Sequence, residues 1–356
     1  MRPDGESVTT AVVVCAYTTA RWDQLQASVG TVLAQTTPPA EVVVVVDHCE
    51  ELLAMAATLE QRPTAGEPGV RVMPNSGPRG LSGARNTGVL AASAEVVAFL
   101  DDDAVASRTW LAELAAHFSS PDVMGVGGRI LPDWAGREPA WLPPEFLWVV
   151  GCSYTGLPQD TAEVRNPIGA SMAFRRATVQ AVGGFSSAVG RVGTTPLGCE
   201  ETELSIRVAH HAPGSRILYE PRAVVHHHVA HERARWSYFR RRCWSEGLSK
   251  ALVAELADPR SALSAERRYV TRVLPAGMAR DLGAAVRTRD GRRLASAAAS
   301  GTGLAITALG YAAGRLGRTR HLARAAKTSP LVSDTAPNGA RDTPSPASAA
   351  LTSPGG

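Results

Sequence analysis

Val96-Val97-Ala98-Phe99-Leu100-Asp101-Asp102-Asp103 is the stretch on which the fold turns. An apolar run too short for a typical helix stops abruptly at three adjacent acids. Such a run reads as a strand buried on both faces, with the acids at its exit from the sheet. Carboxylates gathered at one strand end repel one another and resist desolvation. They persist most easily beside a divalent cation or positive side chains. An acidic turn before a helix capped by Ser107 would account equally for the triplet alone, so the neighbouring segments must decide.

Upstream, Ala11 to Ala16 is a β-branched run that leads into Tyr17-Thr18-Thr19. Trp22, Leu25, Val29, Val32 and Leu33 recur at helical spacing, and Pro38-Pro39 stops that helix. Glu41 to Val46 is a second continuous strand, ending at Asp47, and Val70 to Met73 a third. A loop rich in Gly and Pro, Pro74 to Gly83, precedes a helix opening at Ala84-Arg85-Asn86-Thr87-Gly88. This alternation predicts a mostly parallel sheet covered by helices. Ligands of such sheets gather beyond the carboxyl ends of the strands. Tyr17, Asp47 and the Asp101–Asp103 triplet should therefore share one crevice.

Downstream, Arg108 to Phe118 reads as a helix and Val123 to Ile130 as a strand. From Leu131 to Pro167 the regularity fails, and Trp134, Trp141, Trp148 and Tyr154 occur among prolines without clear period. Such aromatics suit stacking on a sugar or covering a sheet edge, and both readings stay open. Ile168 to Phe174 resumes as a strand and Arg175 to Val182 as a short helix. The run Gly198-Cys199-Glu200-Glu201-Thr202-Glu203 opens another helix, where acids in the first turn also complement the dipole. Arg216 to Tyr219 and Ala223 to His228 read as paired short strands, the second closing on His226-His227-His228. Three histidines at a strand end, with acids elsewhere, suggest a ligand role.

Charge is unevenly spread over the 356 residues. Glu232 to Lys327 carries 20 Arg or Lys against 7 Asp or Glu, a surplus of 13, so with a net charge of +4 the remainder carries −9. A basic C-terminal third points to a membrane surface or a phosphorylated ligand, because no nucleic-acid-binding signature accompanies it. The five cysteines are scattered and odd in number, which favours reduced thiols over a disulfide frame or zinc site. Met1 to Thr10 is polar and offers no signal peptide. Leu294 to Gly314 has no charged residue and is about long enough to cross a bilayer. Its wealth of Ala, Gly, Ser and Thr also suits a helix lying on the inner leaflet or a packed helix pair. Thr328 to Gly356, rich in Pro, Ser, Ala and Thr, has the composition of a disordered tail.

Taken in order, these pieces resemble glycosyltransferase family 2 over Val12 to Ala251. They are the strand with Tyr17, the strand ending in Asp47, Gly83 to Gly88, and Phe99 to Asp103. Gly169 to Arg176, Gly183-Gly184-Phe185, Glu200 to Leu204, Tyr238 to Arg242 and Glu246 to Lys250 continue the match. The resemblance implies an α/β GT-A fold, Rossmann-like, over residues 8–232. A basic helical region, 233–327, and the tail, 328–356, would follow. It implies an inverting transfer from a nucleotide-sugar donor that needs Mg²⁺ or Mn²⁺. Carried over by position, Ala16, Tyr17 and Asp47 would hold the base, and Arg85 would lie near the nucleotide or its phosphates. Asp101 would contact the ribose side, Asp103 the metal, with Asp102 between them. Glu201 would be the catalytic base, with Glu200 orienting the acceptor or supporting the loop. His227 would approach the metal and diphosphate, His228 being the close rival. Two departures stand out: Glu201 replaces the more usual Asp, and Ser171 stands where Asn is frequent. The acceptor would be a hydroxyl of a glycan or lipid-linked sugar, reached in the cytoplasm beside the membrane's inner face. A sugar-phosphate nucleotidyltransferase and a non-catalytic membrane-bound nucleotide-sugar binder are the competing readings.

Overall fold

The computed structural model of the chain describes residues 8–64, 68–187, 198–256 and 264–318. Its centre is the pair of valine-rich strands seen in the sequence. Strand β1 (Thr10–Ala16) runs parallel to β2 (Glu41–Val46) on one side and to β4 (Val96–Asp101) on the other. Beyond β2 lies β3 (Gly69–Pro74), also parallel. The register sets Ala16 beside Val46 and Cys15 beside Asp101, so Tyr17, Asp47 and the acid triplet leave the sheet at one edge.

The second half adds β5 (Ala104–Ala106), β6 (Val123–Trp134), β7 (Ala162–Glu163), β8 (Ser171–Arg175) and β9 (Arg216–Val229). The order across the sheet is β3-β2-β1-β4-β8-β6-β9-β5, with β7 on β9, and β8 is antiparallel to both its neighbours. The sheet is thus mixed but mostly parallel in its first half, as the alternating pattern predicts. Continuous apolar strands are explained by cover on both faces. Val12, Val14 and Val44 pack on one side with α1 (Trp22–Leu33) and α4 (Trp110–Ala115). Val13, Val43 and Val45 pack on the other with α3 (Leu81–Ala91), α5 (Arg176–Ala181) and α6 (Glu200–His211). A short helix, α2 (Glu50–Ala56), covers β2 and β3.

One expectation is corrected. Arg216 to Tyr219 and Ala223 to His228 are not two paired strands but one, β9, running parallel to β6 with a register shift at Gly128. Pro221 removes a ladder donor there, yet no turn forms, because the buried Glu220 carboxylate satisfies the irregularity from within. It accepts from the Arg222 backbone N–H at 2.9 Å and from Thr161 Oγ1 at 2.8 Å, and pairs with His117 at 2.7 Å.

The C-terminal helices are α7 (Trp236–Leu256), α8 (Ser264–Arg268), α9 (Leu274–Thr288) and α10 (Gly291–Ala313). The uncharged Leu294–Gly314 stretch falls mostly in α10, which packs along α7. Its small residues are what bring the backbones together: a methyl on Gly310 would overlap the Trp244 carbonyl, and one on Gly247 the Thr307 carbonyl. Among the described residues no helix is long and apolar enough to cross a membrane. The irregular aromatics find their partners here as well. Trp141 meets Trp236 and Phe239 edge-on, with ring centroids 5.0 and 5.5 Å apart, and Trp148 Nε1 donates to Tyr269 Oη at 3.1 Å. They form the seam between sheet and C-terminal helices. The proposed tail, 328–356, lies outside the described residues.

Candidate active site

At the exit of β4 the three acids separate by role. Asp101 is half-exposed, whereas Asp102 and Asp103 are buried and matched by arginine. Arg21, just before α1, reaches Asp102 at 2.8 Å and Asp103 at 3.1 Å. His227 Nε2 stands 3.2 Å from Asp103, and Arg233 approaches the same carboxylate at 3.5 Å. Burial opposes ionisation of Asp103, but His227, Arg21 and Arg233 together hold it well below the usual carboxylate range. Asp102 goes the other way. Burial and the neighbouring Asp103 push it up to about 7, although Arg21 pulls it down. His227 is driven up to about 10, since the Asp103 carboxylate outweighs burial.

Strand periodicity decides between the histidines. Side chains alternate along β9, so His227 turns inward to Asp103 while His226 and His228 turn to the other face. His228 pairs there with Asp133, 3.7 Å away. Ligand atoms of Asp101, Asp103 and His227 all lie within 4.8 Å of one another. Two carboxylates and an imidazole form a hard, mixed O/N donor set that suits Mg²⁺ or Mn²⁺.

Asp47 closes the neighbouring side of the crevice. Its carboxylate accepts from Asn75 Nδ2 at 2.7 Å and from the Gly80 N–H at 2.9 Å, which ties the β2 exit to the loop before α3. Ala16 is the buried last residue of β1, and the Tyr17 ring after it is half-exposed with the Arg21 guanidinium over its face.

Arg85 joins the two acid groups that sequence spacing alone leaves far apart. It is fully buried on α3 and lies over the rings of Phe99 and Phe185. Its guanidinium contacts Glu200 at 3.0 Å, Asp101 at 3.4 Å and the Gly169 carbonyl at 3.1 Å. The β4 exit and the α6 entrance are therefore braced to one cation. Cys199 enters α6 with a left-handed backbone, φ 74°, a conformation that side chains other than glycine rarely adopt. Glu200 spends one oxygen on Arg85. Its other oxygen is buried and has no hydrogen-bond partner among the described residues. Burial and the adjacent Glu200 push Glu201 up to about 8. A carboxylate held so close to neutrality is suited to taking and releasing a proton.

Ser171 lies buried on β8 and accepts from Trp110 Nε1 at 2.9 Å. Two contributors escaped the reading of the sequence. Arg21 follows an unremarkable loop, and Arg233 was submerged in the bulk charge of the basic third. Only the fold turns either of them toward Asp103.

Comparison with known proteins bears on the family and the fold. The family model described as "Glycosyl transferase family 2" matches residues 11–183. A glucosyl-dolichyl phosphate glucuronosyltransferase of Haloferax volcanii is 34% identical over 244 residues, covering 68% of this chain and 76% of that protein. A pre-mycofactocin glycosyltransferase of Mycobacterium tuberculosis is 27% identical over 235 residues, which span 64% of this chain and 47% of that one. Among solved structures, a mannosyltransferase from Pyrobaculum calidifontis in complex with GDP-Man and Mn²⁺ superposes with a TM-score of 0.53 at 19% identity. It covers 85% of this chain and 88% of the other. The fold is that of the GT-A glycosyltransferases, and the chain belongs to glycosyl transferase family 2.

Proposed function

We propose that this glycosyltransferase moves a sugar from a nucleoside-diphosphate donor to an acceptor hydroxyl with inversion at the anomeric carbon. The observation that supports the reading is the Arg85 brace, which ties Asp101 at the exit of β4 to Glu200 at the start of α6. Ala16, Tyr17 and Asp47 line the side where the base would rest and Asp101 the ribose side, with Asp102 buried behind it on Arg21. Arg85 then acts beneath the donor by fixing its walls. Glu201 takes the proton of the attacking hydroxyl as the new bond to the anomeric carbon forms and the bond to the diphosphate oxygen breaks. Attack from the side opposite the leaving group is a single displacement, hence the inversion. Glu200, with one oxygen on Arg85 and the other buried, supports the turn that carries Glu201.

Asp103 and His227, with Asp101, would hold the divalent cation, and a cation bound there supplies Lewis-acid neutralisation of the departing diphosphate. The Haloferax relative acts, by its name, on a glucosyl-dolichyl phosphate, which supports a lipid-linked acceptor for this chain too.

A panel of UDP-, GDP- and dTDP-sugars, screened by Mn²⁺-dependent thermal stabilisation and then by transfer or slow donor hydrolysis, tests the reading. Glu201→Gln should lower turnover by about 10²–10⁴-fold while donor affinity stays within about twofold. Asp103→Ala should abolish the Mn²⁺ dependence of donor binding. Donor binding without turnover in the unsubstituted chain would leave only a nucleotide-sugar binder.

A further inference from the structure

Among the described residues, ten large apolar side chains are exposed, and eight of them lie between Trp236 and Leu316. Five of the eight, Leu282, Val286, Leu294, Leu309 and Leu316, lie on α9, on α10 or just beyond it. Helix α10 turns Leu294, Ala298, Thr302, Ala305, Leu309 and Ala312 to the surface at intervals of three and four. That is an uncharged stripe down one face of a helix about 33 Å long. The opposite face, with Gly303 and Gly310, packs inward. Helix α9 repeats the pattern with exposed Ala279, Leu282 and Val286, the last 82% accessible. Leu316, one turn beyond α10, is 86% accessible. Isolated apolar side chains on a surface need no explanation, but aligned stripes do. Their ends are basic: exposed Arg287 and Arg289 close α9, Arg292 opens α10 and Arg315 follows it.

We infer that the outer face of the α9–α10 hairpin docks on an anionic lipid bilayer, lying in its interface rather than crossing it. An apolar stripe on one side only, with arginines at both ends, places methyl groups at the acyl boundary and guanidiniums among headgroup phosphates. A second copy of the chain is a poorer occupant, because pairing two such faces would bring like charges together. The location also serves the active site. Tyr311 of α10 belongs to the apolar cluster that includes Cys199 and Ile206, on either side of Glu200 and Glu201. A docked α10 would hold the helix bearing both glutamates close to the bilayer.

The test is flotation of the full chain with phosphatidylcholine vesicles, with and without one-third phosphatidylglycerol. Binding should require phosphatidylglycerol and weaken at molar salt. Leu294→Gln with Leu309→Gln should cut partitioning at least tenfold. Arg292→Ser with Arg315→Ser should cut it roughly thirtyfold. Both double variants should keep the donor hydrolysis rate, which shows that they fold. Glu201→Gln should bind vesicles like the unsubstituted chain, so the docking surface stands or falls apart from the catalytic assignment. Equal binding to neutral vesicles, or no loss in the leucine variant, would overturn the proposal. So would a concentration-dependent dimer that Leu309→Gln dissolves in a chain that binds no vesicles.

Discussion

Glu201 and Glu200 show what adjacency does to two identical side chains. One makes a direct ion pair with Arg85, whereas the other feels that cation more weakly than it feels burial and the charge of its neighbour. Because the base works only when ionised and its pKa is raised to about 8, kcat/KM should climb with a midpoint near pH 8 and level off above it. Glu200→Gln removes the adjacent negative charge and should move that midpoint to lower pH. A pH–rate profile of both enzymes checks this, and an unmoved midpoint would mean that burial alone sets the value. Spacing in the sequence placed both acids at a helix start and left a dipole-complementing role open. What distinguishes them is a guanidinium contributed 115 positions earlier, and that no local pattern could reveal.

At the scale of elements, the α7–α10 pair turns glycine from a helix weakness into a packing device. Gly247, Gly303 and Gly310 each face a partner that a methyl group would strike, and at Gly247 and Gly310 that partner is backbone. Gly310→Ala should therefore cost about 1–3 kcal/mol in urea unfolding, the usual range for overpacking. Gly283 sits in α9 with open space around the position a Cβ would take. Gly283→Ala should stabilise by up to about 1 kcal/mol through helix propensity. Opposite signs for one chemical change would locate the effect in the helix contact. Composition alone could not choose among a span, an interfacial helix and a packed pair, since small residues suit close packing in any solvent.

For the whole molecule, ion pairs join the C-terminal helices to the sheet domain. Glu266 on α8 meets Lys250 of α7 at 2.7 Å and Arg165, in the loop before β8, at 2.9 Å. Burial opposes the ionised form, yet Lys250 and Arg165 bring Glu266 down to about 2. A carboxylate with a depressed folded pKa adds stability above its unfolded value, here 4.5, and loses it as pH falls toward 2. Unfolding should therefore show an acid-labile window between those values. Glu266→Gln should flatten it and cost about 1–3 kcal/mol at neutral pH, since it takes a carboxylate from Lys250 and Arg165 and leaves Lys250 with Glu246, 3.4 Å away. Thermal unfolding across that pH range would show it.

The first half of the fold, and the strand-end acids with it, follow from the sequence by itself. Unbroken valine runs admit burial on both faces only in a helix-covered parallel sheet, and that geometry puts Tyr17, Asp47 and Asp101 at one edge. Distance in the chain hid the rest. The inward turn of His227 but not His228 depends on the strand register of β9. The Arg21 and Arg233 contacts with Asp103, the Arg85 brace and the glycine contacts between α7 and α10 join segments far apart in sequence. Such contacts are selected by the free energy of the packed whole, which no single stretch carries.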